Sequence, residues 1–127
     1  MAATQKEFEQ FVADAVDDIP ERFSKELQNI VFVVEDEPAE DVRREQGLAE
    51  DETLLGLFEG VTRGEQGSGP WELPGRIIIY KKPSEEEAED AGITVRDVVQ
   101  DTVWHEVAHY LGMDEHEVRH AEEKRKN

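Results

Sequence analysis

The sequence predicts an α/β (α+β) fold in one domain, and three observations point that way. Apolar residues recur at helical spacing near both ends of the chain. Three short segments rich in β-branched residues lie between them, and glycine-, proline- and acid-rich stretches separate the pieces. A length of 127 residues suits a single domain with a modest core and is too short for two independent cores.

Residues 4–17 place Phe8, Phe11, Val12, Ala15 and Val16 on one helical face, with Thr4 and Glu7 as a capping box. Ile19-Pro20 breaks that pattern. The proline-led "PERFSKEL" reads as a short second helix. "IVFVVEDE", bounded by Pro38, is the first strand. "PAEDVRREQGLAED" is polar and reads as a loop or a loose helical turn. "LLGLFEG" is a second strand and "RIIIYKK" the third and clearest. Between them "TRGEQGSGPWELPG" is a glycine- and proline-rich loop that Trp71 and Leu73 fasten to the body. It lacks the GK[ST] ending of a phosphate-binding loop.

"PSEEEAED" opens a short acidic helix with Ser84 as its cap and Glu87 three residues on, read as a solvated helix start rather than a cation site. From Thr94 to Leu111 a long helix carries Val95, Val99, Val103, Val107 and Tyr110 as its buried stripe, and Gly112 ends it. Asp114 with Glu117 then caps a final helix bearing the basic tail. No internal repeat and no long linker divides the chain.

Charge and composition exclude several classes. The chain has no cysteine, so neither a disulfide framework nor a thiolate metal site can form. With 32 acidic and 14 basic residues, the formal charge of −18 repels phosphate backbones, so no nucleic-acid partner is expected. The N-terminal "MAATQKEFEQFVADAV" has acids where a signal peptide needs a basic start and an apolar run, and no apolar run is long enough to span a membrane. The expectation is a soluble cytoplasmic protein with no membrane partner. Acids spread along the whole chain suit a surface kept soluble at high salt, as in proteins of salt-loving organisms, because salt screens the self-repulsion. The melting temperature should therefore rise from low to molar salt. A melting temperature that does not rise would remove the halophilic reading.

The chemistry concentrates in "WHEVAHYLGMDEHEVRH", residues 104–120. His105 and His109 lie one helical turn apart on one face, with Cβ atoms roughly 5–6 Å apart, close enough to share one ion. Zinc accepts imidazole nitrogen at about 2.0–2.1 Å. Glu106 sits about 100° around the helix, able to reach a water on the ion without being a ligand. Zinc lowers the pKa of that water toward about 7, so Glu106 can take its proton and carry it to a leaving amine. This is the machinery of peptide-bond hydrolysis on a peptide or unfolded-protein substrate. Both histidines lie off the valine stripe, and the small Val98 and Thr102 continue their face, leaving room for a cleft wall.

A catalytic zinc needs a third protein ligand. On an unbroken helix His116 would lie about 10 Å beyond His109 along the axis, too far to share an ion with His105. The chain must turn, and Gly112 suits the left-handed conformation of a turn. Asp114 is taken up as a cap, which leaves Glu115 and His116 as the first free side chains. His120, one turn beyond His116, is less suited to ligation and can orient substrate or stabilise an oxyanion.

HExxHxxG resembles the zincin superfamily, in the style of the metzincins and Asp-zincins. More closely, the chain resembles the small bacterial and archaeal minimal zincin metallopeptidase family over about residues 5–118. The likeness rests on the N-terminal helix, the proline-led helix, "VFVVEDEP", "LLGLFEG", "RIIIYKKP" and the HExxHxxG helix. The resemblance implies a zincin-like domain with a three-stranded mixed sheet packed beside the active-site helix and the N-terminal helices. It implies a third zinc ligand, a His or Asp, six residues after the second histidine. Here that register falls on Glu115, a departure from both, with His116 the alternative one residue later. The methionine turn of the metzincins is absent, since Met113 follows the glycine directly. Related peptidases pair an extended substrate with an edge strand, a role open to "LLGLFEG" or "RIIIYKK". The alternative readings are a non-catalytic zinc-stabilised peptide-binding module and a helical adaptor without metal.

Overall fold

A computed structural model describes residues 3–60 and 75–113. The elements run α1 (Gln5–Asp17), α2 (Glu21–Ser24), a 3-10 turn (Lys25–Leu27), β1 (Ile30–Glu35), α3 (Glu40–Glu45), β2 (Gly56–Glu59), β3 (Gly75–Tyr80), α4 (Lys81–Ala91) and α5 (Val95–Tyr110). The three strands form one mixed sheet in the order β1-β3-β2. β1 runs parallel to β3, with Ile30 opposite Gly75 and Glu35 opposite Tyr80. β2 runs antiparallel to β3, with Gly56 opposite Ile79. The fold is α+β, as the sequence predicts.

β3 is the centre of the sheet. Ile77 and Ile79 are completely buried on the face that meets the helices. Alternation turns Arg76 to the opposite face, where it pairs with Glu59 across the β2–β3 ladder at 2.7 Å. "RIIIYKK" therefore cannot offer an edge to a substrate, and among the described strands β1 and β2 hold the edges.

α1 and α5 cover the helical face. Phe8, Val12 and Ala15 of α1 meet Val99, Val103, Val107 and Tyr110 of α5 in one core, so the stripe read from spacing is buried from Val99 onward, with Val95 half-buried at its start. The capping box at Thr4 and Glu7 forms in full, each side chain accepting the other's backbone N–H. Arg96 reaches Asp14 at 2.9 Å and Gln100 reaches Asp18 at 3.0 Å, tying α5 to α1 at the surface, where such contacts add little to stability. A second, smaller cluster fixes α2. Phe23 tilts against Trp104 with ring centroids 5.5 Å apart, and Ala108 and Met113 pack beside them.

Two local expectations change. Residues 40–45 of the polar segment form a true short helix, α3. Ser84 is not a helix cap: α4 begins at Lys81, directly after β3, and Ser84 is buried in its first turns with its hydroxyl donating to the Tyr80 carbonyl at 2.7 Å. Pro83 sits in the first helical turn, where its missing N–H leaves no hydrogen bond unmade. The loop carrying Trp71 and Leu73, and the final helix expected from Asp114, lie outside the described residues.

α5 starts and stops as its ends predict. The Thr94 hydroxyl accepts the Asp97 N–H at 3.0 Å. At the other end Gly112 adopts φ +74°, its N–H bonding the His109 carbonyl while the Met113 N–H bonds the Ala108 carbonyl, each at 3.0 Å. That is a Schellman ending, completed by apolar packing of Met113 against the Ala108 cluster. The chain therefore leaves the helix three residues after His109.

No helix among the described residues is long and apolar enough to cross a membrane.

Candidate metal centre

His105, Glu106 and His109 all line a cleft of about 500 Å³ beside β2. Thr53, Leu54, Leu55 and Gly56 form its strand side, and Val98 and Thr102 extend it along α5, on the face where the sequence places them.

The two histidines are exposed, as side chains that bind something from solvent must be. His105 Nδ1 lies 2.9 Å from the Asp101 carbonyl oxygen one turn back. A carbonyl only accepts, so in the neutral ring Nδ1 carries the proton and Nε2 keeps its lone pair. This is the tautomer and the type of backbone anchor that metal-binding imidazoles use. Imidazole nitrogen is a donor that zinc accepts, and these two histidines supply two such donors.

Glu106 is the most buried of the three, with 15% of its side chain exposed against 61% for His109. Its Oε2 lies 3.8 Å from His109 Nδ1, too far for a hydrogen bond. Burial pushes the Glu106 carboxyl above the ordinary range, while the His109 and His105 rings and the Phe58 backbone N–H pull it down. The carboxylate thus sits in a partly dry position near the two imidazoles and the β2 backbone.

Two features of this seat escape the motif. The first is Gly56. A Cβ built there would stand 2.8 Å from Thr102 Cγ2, 3.2 Å from the Ile78 carbonyl and 3.3 Å from Glu106 Cγ, so only glycine lets β2 lie this close to α5. The glycine inside "LLGLFEG" carried that signal, since a glycine interrupting a strand pattern marks close backbone approach. The second is the Phe58 N–H. The Tyr80 N–H bonds the Leu55 carbonyl, so ladder alternation points the backbone groups of Gly56 and Phe58 away from β3. No side-chain pattern announces such a donor.

Among the described residues no three His, Cys, Asp or Glu side chains gather as a metal-holding group. The third-ligand candidates Glu115 and His116, together with Asp114 and His120, lie outside the described residues.

No curated protein matches the chain. Among solved structures, a conserved hypothetical protein from Thermus thermophilus has a similar fold, with a TM-score of 0.58 and 21% identity over 86% of this chain and 94% of that one. A family model described as zincin-like metallopeptidase matches residues 27–125. That span takes in the whole sheet and runs on past the histidine helix and the turn at Gly112, so the chain belongs to the zincin-like metallopeptidase family.

Proposed function

We propose that the protein is a zinc-dependent peptidase in which His105, His109 and Glu115 hold the ion and Glu106 handles the proton. The observation that carries this reading is the seat of Glu106, a carboxylate kept mostly out of solvent beside two exposed cleft histidines. Burial there opposes its charge, and a carboxyl whose pKa is raised in a cleft suits proton transfer.

When bound, zinc supplies Lewis acidity, polarising a carbonyl and lowering the pKa of a water toward about 7. The residues do the rest. His105 and His109 present imidazole nitrogen from one helical face, and the Asp101 carbonyl fixes the His105 ring. Glu106 accepts a proton from the attacking water and returns it to the amine that leaves. A raised pKa suits both halves of that task, because the protonated form must live long enough to deliver. The Phe58 N–H on the strand side favours the ionised carboxylate. β2 borders the cleft as an edge strand, where an extended peptide or unfolded segment can add alongside it. His120 is assigned to substrate or oxyanion contact.

Glu115 is preferred over His116 because it holds the family register. Glu115→Gln should weaken zinc binding at least about tenfold, in line with loss of a metal ligand, while His116→Ala leaves it nearly unchanged. Zinc titration of both variants checks this, and the reverse result transfers the ligand role to His116.

A further inference from the structure

We infer that the outer edge of β1 is a second peptide-binding surface, one that takes an extended segment alternating apolar and basic residues as an added strand. In the order β1-β3-β2, among the described strands only the inner side of β1 is paired. The Gly75 N–H bonds the Asn29 carbonyl, and Ile30 stands opposite Gly75. In a parallel ladder this register turns the backbone groups of Val31 and Val33 toward β3 and those of Phe32 and Val34 outward. Among the described residues no backbone bond meets those outward groups.

The outward edge opens into a groove of about 570 Å³ between β1 and α1. Val12 and Val16 of α1 line it together with Phe32 and Val34, giving an apolar wall along the edge. Edge strands are usually blunted by lysine, proline or a bulge. Ile30–Val34 carries neither residue type and is unbroken strand, so it remains a template for strand addition.

Charge selects the occupant. Among the described residues, the charged groups lining the groove are Glu9 and Asp17, two turns apart on α1, and the whole chain carries −18. A second copy of this chain would bring like charges together, whereas a peptide with basic residues at alternate positions meets opposite ones. Its apolar residues would face Val12 and Val16. The cleft that holds the histidines lies at the β2 edge, across the sheet, so occupancy here needs no metal.

The test titrates a short capped peptide alternating valine and lysine into the Glu106→Gln protein, which leaves the probe uncleaved, at physiological salt. Expected is saturable one-to-one binding that chelator does not change. Glu9→Lys with Asp17→Lys should weaken it about tenfold or more. Methylating the alternate peptide nitrogens that face β1 should abolish it, while methylating the other set should not. The inference is overturned if a peptide of equal charge with glycine in place of valine binds as well, or if neither methylation pattern matters. Loss of binding with chelator also overturns it, as does sedimentation showing a dimer of this chain that the peptide disrupts.

Discussion

Glu106→Gln should lower peptide hydrolysis by at least about 10²-fold while zinc binding persists. Glutamine keeps the length and shape of the side chain and can still meet the Phe58 N–H, but it cannot take a proton from water. The protein should remain folded. Burial raises the Glu106 pKa in the folded state, so this group's contribution to stability is fullest below the pKa it has unfolded and is lost as pH rises through the folded value. At neutral pH the buried charge opposes folding, and removing it should not lower the melting temperature. Hydrolysis rates and bound zinc measured on the same preparation check both halves. Full activity in the variant would remove Glu106 from the mechanism.

Gly56→Ala should reduce kcat by roughly 10²-fold, the scale of a displacement of about 1 Å in a catalytic group. The new methyl would meet Thr102 Cγ2 at 2.8 Å and Glu106 Cγ at 3.3 Å, and the Ile78 carbonyl behind it belongs to the central strand and yields little. Strand and helix must part or Glu106 must move. Thr102→Ser supplies the internal control. It removes the clashing methyl while retaining the hydroxyl that donates to the Val98 carbonyl at 2.8 Å. The double variant Gly56→Ala/Thr102→Ser should therefore recover much of the lost rate, with zinc content unchanged throughout. Equal activity in wild type and Gly56→Ala would show that the close approach of β2 does not position Glu106.

What could be read from the residues was what repeats or punctuates. The valine stripe of α5, the Thr4 capping box and the turn at Gly112 are local patterns, and the structure forms each of them. The His105–Glu106–His109 face follows from helical spacing once α5 is recognised. Ser84 misled because S-x-x-E is only a local cue. β3 passes straight into α4, so the serine lies already inside the helix and turns its hydroxyl to the Tyr80 carbonyl. The central place of β3 depends on which strands pair with it, and strand composition does not encode partners. The supports of the site were the least legible. The Asp101 carbonyl and the Phe58 N–H are backbone groups, and every residue carries one of each. Only Gly56 left a trace in the residue pattern.

The central claim is that the cleft histidines hold zinc. Elemental analysis of the purified protein tests it most directly, with His105→Ala and His109→Ala measured alongside. The wild type should carry about one zinc per chain, removable by chelator, with sharply reduced zinc in either variant. A wild-type protein that neither carries zinc nor takes it up when zinc is supplied would contradict it.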